Sequence, residues 1–410
     1  MLALFNFGFA FIFYKKQTID RNLVFLLIGL VLTFISLAAP IQLNGHSITL
    51  FWAAEAVLLL WFSQQAKIRL LSITAVIINL CMMVSLLMDW TSFYADVNVL
   101  LPIASNKAFI TGIVCCFSLA LSMHLLKNEQ EENFKWQRLR LRDYTLALQL
   151  LGITVVYFVF YLELNYQLSS RVGFLPSKMV SIATYNFLFL VAAFILKKEK
   201  NVVHHRAYFG FSLLLLLIHL LFYNQFVIAL RYEYKIEHYQ GIFFALHLLL
   251  NALFVYALLI FNRSGKIILH QNYLTPLKWV TVFFIVYICS AELNHLAGWL
   301  VKSPENLYLV NKQISRAGYT VLWGLISLIL MQHGMKRKDR MLRIISLSLF
   351  FIAILKLFIS DIQGLSEAGK IIAFISLGVL LLVVSFMYQR LKKLILQDEE
   401  DKKSQSETSP

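Results

Sequence analysis

The feature that most constrains this chain is a succession of uninterrupted apolar stretches, each near 20 residues and separated by short polar connections. An α-helix needs about 20 apolar residues to cross the ~30 Å hydrocarbon core of a bilayer. A transmembrane β-barrel would show short segments of alternating polarity instead. A water-facing globule would carry about 25% charged residues, whereas this chain of 410 residues is 14% charged and 59% hydrophobic. Lipid is therefore part of the solvent. The expected fold class is all-α, a polytopic transmembrane helical bundle.

Thirteen helices are expected, over approximately 2–14, 22–39, 48–62, 69–88, 107–126, 143–163, 177–196, 207–224, 241–261, 277–293, 315–332, 341–359 and 367–389. The opening MLALFNFGFAFIFYKK has no basic n-region and no small-residue cleavage site, so it is a poor signal peptide. Its apolar part reaches only about 20 Å at 1.5 Å per residue. A short or tilted helix, an interfacial segment and the incomplete start of a longer chain are all open readings. The tail after Arg390 ends QDEEDKKSQSETSP, polar and free of aromatics, and is expected to be disordered.

Orientation follows from the basic residues. If the first helix starts outside, the inner connections and the tail hold 27 of the 37 Lys and Arg, the outer connections hold 9, and Lys356 sits in a span. Every basic cluster then falls on one side, which the positive-inside rule makes the cytoplasm. The N-terminus is expected outside and the C-terminus inside. That inner side carries 27 basic and 12 acidic residues, which accounts for the whole formal charge of +15. Attraction to anionic headgroups explains the charge, and no loop is long enough to form a nucleic-acid-binding module.

A repeat appears when the helices are read in fours. Glu163-Leu164-Asn165 and Glu292-Leu293-Asn294 end corresponding helices, and each is followed by an inward helix, a basic turn and an outward Leu-rich helix. In the outward helices His219 lies five residues before Asn224, and Lys356 five before Asp361. A weaker copy begins near residue 22. The expected organisation is a leading helix with its basic turn (1–21), three parallel four-helix units (22–142, 143–276, 277–393) and a tail (394–410).

Two segments carry a family resemblance. ILKLFISDIQGLSEAGKIIAFISLGVLLLVVSFMYQRLKK (354–393) and AAPIQLNGHSITLFWAAEAVLLLW (38–61) resemble recurring stretches of the bacterial membrane proteins called domain of unknown function 2339. Members are often longer, with more spans ahead of the matching region, so the resemblance implies the C-terminal part of a typical member. It also implies a multi-pass protein of the bacterial inner membrane, and it brings no activity and no functional residues.

Chemistry, if present, should lie with ionisable groups inside the spans, because a charge in lipid needs a partner or a wet cavity. These are Glu55, Glu163, His219, His247, Glu292 and Lys356, all placed by the topology in the outer half. Around them, at outer helix ends, sit His46, Asp89, Asn165, Asn224, Asn294, His295 and Asp361. This asymmetry suggests a polar cleft opening outward. The competing reading is structural: Glu163, Glu292 and Asp361 snorkel or cap, Lys356 pairs with Asp361, and Glu55 bonds to a neighbouring helix.

No H-E-x-x-H, G-x-S-x-G or phosphate-binding loop occurs. No two outer histidines have i, i+4 spacing, and His204-His205 in an inner turn faces headgroups rather than a metal. The four cysteines, Cys81, Cys115, Cys116 and Cys289, lie in apolar segments and are read as packing residues. No metal and no cofactor are expected. The partners are the bilayer and, in one reading, other membrane proteins.

Three functions fit: a non-enzymatic envelope scaffold or assembly factor, a transporter or flippase with an outward-facing polar cleft, and a membrane-embedded transferase on a lipid-linked substrate. The first is favoured by the lack of motifs, so the chain is expected not to be an enzyme. The topology has a direct test. Reporter fusions at Asn128 and Ser169 should report cytoplasmic and external locations respectively, and equal signals at the two would overturn the helix count.

Overall fold

The computed structural model describes residues 31–361 apart from 32–33, 39, 67–68, 97, 128–140, 198–200, 238–240 and 302–303, with scattered positions between 367 and 385. All regular structure among the described residues is helical. The chain divides into two compact units, Met1–Phe174 and Leu175–Pro410.

The N-terminal unit contains α1 (His46–Ala66), α2 (Arg69–Phe93), α3 (Lys107–Leu126) and α4 (Leu141–Arg171). Lipid offers no hydrogen-bond partners, so an apolar run there satisfies its backbone internally as a helix. The start of α3 is fixed by Asn106, whose side chain accepts the Phe109 N–H at 2.9 Å, the usual N-cap device. α1 packs on α2 and α3, and α3 packs on α4.

Small residues fill the contacts: Ala53, Ala56, Ala75, Ala108 and Cys115 are buried. Lipid tails are as apolar as leucine, so helices here associate by close approach and interhelical hydrogen bonds. Thr49 Oγ1 donates to Asp89 Oδ2 at 2.6 Å, Ser118 Oγ donates to the Ala53 carbonyl at 2.7 Å, and Asn79 Nδ2 donates to Tyr144 Oη at 3.0 Å.

The C-terminal unit contains α5 (Leu175–Leu196), α6, α7 (Gly241–Ile268), α8 (Gln271–Leu300), α9 and α10. Three of these include a π turn, a widened turn with i→i+5 bonding. In α6, Val202–Ile218 and Asn224–Glu237 flank the π turn His219–Tyr223. In α9, Pro304–Gln313 and Tyr319–Lys336 flank Ile314–Gly318, and α10 runs Arg340–Lys356 into Leu357–Asp361. α7 packs on α5, α6 and α8; α8 also meets α6, α9 and α10; α9 and α10 form a close pair. Large apolar residues such as Phe222, Leu248 and Ile329 are left exposed on the outside of the unit.

Ten helical stretches, from His46–Gln65 to Arg340–Ile359, are long and apolar enough to cross a membrane. They coincide one for one with the third to twelfth expected helices. The first expected helix and most of the thirteenth lie outside the described residues; in the second, residues 31 and 34–38 are helical, and 40–42 beyond its expected end are helical too.

The helix ends need correction. The stretches expected over 143–163, 207–224, 277–293 and 315–332 extend to Leu141–Arg171, to Glu237, to Gln271–Leu300, and back to Pro304. Apolarity marks where a helix is in hydrocarbon, not where it stops, and these helices continue for about two to four amphipathic turns. Glu163 and Glu292 therefore sit inside helices rather than at their ends.

Within each unit, the connections rich in Lys and Arg mark a basic end, and the other is the far end. At the basic end of the C-terminal unit Lys278 Nζ lies 2.6 Å from Asp339 Oδ2, and Asp339 accepts the N–H groups of Met341 and Leu342 to start α10. Burial alone would raise the Asp339 carboxyl; the Lys278 ammonium and those N–H groups outweigh it and hold the carboxyl below its ordinary value.

One contact depends on a glycine. A Cβ at Gly112 of α3 would lie 2.6 Å from Val159 Cγ2 of α4, and a β-branched side chain has few rotamers with which to retreat. Gly112→Ala is expected to cost about 1–3 kcal/mol by overpacking, with Val159→Ala in the same chain recovering most of it. Unfolding of the detergent-solubilised protein measures both, and an additive pair would show that the helices do not meet there.

Candidate functional site

The sequence candidates fall into two clusters, one per unit. Glu55, Glu163, His46, Asp89 and Asn165 belong to the N-terminal unit; His219, Asn224, His247, Glu292, Asn294, His295, Lys356 and Asp361 belong to the C-terminal one.

In the N-terminal unit the carboxylates are largely satisfied by neighbours. Glu163 Oε2 accepts from Asn106 Nδ2 at 2.7 Å and Tyr94 Oη at 2.9 Å; its Oε1 accepts from the Ala104 N–H and Gln167 Nε2, both at 2.9 Å. Gln167 in turn accepts from Arg171 Nε at 2.8 Å. Tyr166 Oη adds donations to the carbonyls of Asp96 and Val99. Glu163 thus pins the connection between α2 and α3 onto α4. Asp89 is held by Thr49, and His46 lies edge-on to Phe93. Glu55 Oε1 accepts from Ser36 Oγ at 2.5 Å, while its Oε2 is buried with no hydrogen-bond partner among the described residues.

The C-terminal unit gathers a different set at its far end. Glu292 on α8 accepts from Asn251 Nδ2 of α7 at 2.5 Å and lies 3.9 Å from His247 Nε2 on the same helix. The His247 and His295 rings are 5.4 Å apart, and His295 Nε2 meets Asn224 Oδ1 at 3.2 Å. His219, at the start of the π turn in α6, is enclosed by Phe187, Phe254 and Tyr287. Buried Nδ1 atoms of both His219 and His295 have no hydrogen-bond partner among the described residues. Among the described residues no three His, Cys, Asp or Glu side chains converge to hold a metal.

Arg231 belongs to this cluster and is only 1% exposed. Its Nη1 donates to the Asn294 carbonyl at 2.5 Å and to Asn294 Oδ1 at 3.1 Å, and Asn294 Nδ2 donates to Tyr319 Oη at 3.2 Å. Gly298 makes the room: a Cβ there would lie 2.8 Å from Arg231 Nη1 and 2.9 Å from its Cζ and Nε. A helix expected to end at residue 224, where apolarity fades, leaves Arg231 in an outer connection. Periodicity gave the missed signal, since Tyr223, Val227, Leu230 and Arg231 fall on one helical face and all are buried.

Lys356 on α10 donates to the carbonyls of Ser315 at 2.9 Å and Arg316 at 3.1 Å, both in the π turn of α9, with the Trp323 ring centroid 5.9 Å away. A charged ammonium in the bundle is thereby satisfied by helix backbone. Asp361 closes the following π turn; its side chain lies outside the described residues.

Beside this cluster is a cavity of about 560 Å³ between α8, α9 and α10. Trp279, Val282, Phe283, Ile345 and Leu349 line it toward the basic end; Asn224, Ser290 and Tyr319 line it toward the far end. Trp279, Phe283 and Ile352 of its wall are among the exposed apolar residues, so the cavity opens sideways on the lipid-facing surface. Asn224 and Tyr319 connect the wall to what lies behind it, through His295 and through Asn294 to Arg231.

Ten membrane-length apolar helices among the described residues define a multi-pass α-helical membrane protein. The chain belongs to the family of predicted membrane proteins DUF2339, which matches residues 1–391. No curated protein and no solved structure matches it.

The Arg231 clamp is testable through its glycine seat. Gly298→Ala should push the guanidinium off Asn294 and lower unfolding stability by about 1–3 kcal/mol. In the background of Arg231→Ala the same change should cost little, the coupling that a double-mutant cycle reads.

Proposed function

We propose that this protein is a transporter or flippase of amphipathic molecules, with its binding site in the C-terminal unit. The observation that carries this reading is the side-opening cavity: apolar and aromatic along most of its length, polar only at the far end, and backed there by half-buried Glu292 and by buried Arg231, His219, His247 and His295. Ligand pockets have that build, an apolar lining with a few placed polar groups. The stretch from Trp279 to Ala291 along α8 covers about 18 Å at 1.5 Å per residue, enough for an extended alkyl chain with its head at the far end. Buried ionisable groups in a membrane protein point the same way.

The remaining architecture is part of the proposal. Thirteen spans, a bacterial inner-membrane location, an external N-terminus and a cytoplasmic C-terminus are consistent with the ten matching helices and the one-sided basic connections. The parallel repeat gains support from two recurrences. Glu163 bonds to Asn106 and Glu292 to Asn251, in each case an Asn from the preceding described helix or its cap. A π turn begins at His219 in α6 and directly after Lys356 in α10, the two residues that the repeat sets in register.

The test uses Trp279 and Trp323, which line the cavity. In nanodiscs holding the full chain, a long-chain alkyl amphiphile brominated along its chain should quench their fluorescence saturably. Trp61, exposed on α1, should be quenched only in proportion to the amphiphile's mole fraction. Proportional quenching at all three would remove the binding site and leave the scaffold reading in its place.

A further inference from the structure

We propose that Glu292 and His247 form a one-proton site and that this proton is bound together with an anionic amphiphile, making the carrier a proton–anion symporter; the inference rests on the cavity being a binding site. The argument begins with tautomers. His247 Nδ1 faces the Phe244 carbonyl, which only accepts, so Nδ1 carries a hydrogen. In a neutral imidazole Nε2 is then a bare lone pair, and it faces Glu292 Oε2 at 3.9 Å. A carboxylate opposite a lone pair is repulsive. One proton, on either Oε2 or Nε2, turns the contact into an attraction, and a second has no acceptor between them. The pair therefore exists in two states, with one proton or with none.

His295 does not compete for that proton. Its Nε2 meets Asn224 Oδ1 at 3.2 Å and supplies the hydrogen if the amide is oriented as placed. The ring is thereby fixed as the Nε2–H tautomer. Arg231 on α6 and Cys289 and His295 on α8 face the pair; His219 on α6 faces His295, and Tyr319 on α9 accepts from Asn294. α10 brings Lys356, held on the α9 carbonyls, and α5 carries Lys178 at the same end.

Charge then selects the ligand. Arg231 has no carboxylate within ion-pair distance among the described residues. With the proton bound, Glu292 and His247 together are neutral and the cluster keeps the positive charge of Arg231 beside the Lys356 ammonium. Without it, the Glu292 carboxylate offsets that charge. An anionic head at Asn224 and Tyr319, the two wall residues bonded to His295 and Asn294, is favoured only in the protonated state. Proton and anion consequently enter together, and when the anion leaves the proton returns from Oε2 or Nε2 to water. By linkage, each promotes the binding of the other equally.

The experiment measures quenching of Trp279 and Trp323 by a chain-brominated alkyl sulfonate, whose head stays ionised at all pH values used, against a chain-brominated alcohol. Full-length protein in nanodiscs is titrated with each across pH. Sulfonate affinity should rise as pH falls, approaching about tenfold per pH unit above the pair's midpoint, the slope of one linked proton. Glu292→Gln, which holds the pair in a protonated-like state, should bind sulfonate tightly at every pH. His247→Gln should also lose the slope, which guards against a folding defect in one variant, and alcohol affinity should not vary. Infrared difference spectra of the unliganded protein between high and low pH should show protonation of one carboxylate or of one imidazole, a signal that disappears in Glu292→Gln. Saturable sulfonate binding with no pH slope would overturn the symport proposal while leaving the cavity as a binding site. Alcohol binding without sulfonate binding would overturn the anion assignment, and no saturable quenching by either would remove the binding site itself.

Discussion

The fold depends on one constraint: inside a bilayer a polar group must find its partner within the protein, because burying it unpaired costs several kcal/mol. The chain meets it in three ways. Hydroxyls of Thr49, Ser85 and Ser118 bond across helices where small residues let backbones approach. Glu163 takes four donors and ties a connection to α4. Arg231 and Lys356 spend their charges on helix carbonyls, those of Asn294, Ser315 and Arg316. A guanidinium or ammonium bonded to carbonyls keeps its formal charge, which separates these two residues from the closed network around Glu163.

That difference distinguishes structure from function within the same list of candidates. Glu163 has a donor for each lone pair that matters, and removing it would leave those donors unpaired. The far end of the C-terminal unit is not closed in this way. His219 and His295 each bury a nitrogen unpartnered among the described residues, and Glu292 faces a histidine whose hydrogen points elsewhere. Buried groups with incomplete hydrogen bonding are costly, and they lie here beside a cavity that opens to lipid.

Much of the fold was legible in the sequence because hydrophobicity in a membrane protein is nearly a direct record of the spans. Positions His46–Gln65 through Arg340–Ile359 could be read that way. Helix ends could not, since Asn224–Glu237 is helical while carrying Arg231, Glu233 and Glu237. The candidate site was legible by residue type: His219, His247 and Glu292 stand out as polar in apolar runs. Their partners were not, because Asn251, Gly298 and Tyr319 become informative only when α6, α7, α8 and α9 are side by side. The donation of Lys356 to backbone carbonyls had no sequence signal, as it depends on the π turn at Ile314–Gly318.

Those π turns have a consequence for helical phase. A π turn accommodates one extra residue, and one residue is about 100° of rotation. The segment of α6 beyond Tyr223 therefore presents a face turned relative to the stripe that the apolar residues before His219 define. Arg231 reaches Asn294 only in the turned phase. Were the extra residue absorbed elsewhere in α6, the same sequence would carry Arg231 around toward lipid. The π turn is in this sense a vernier: it sets the angular position of a charge on the helix that bears it.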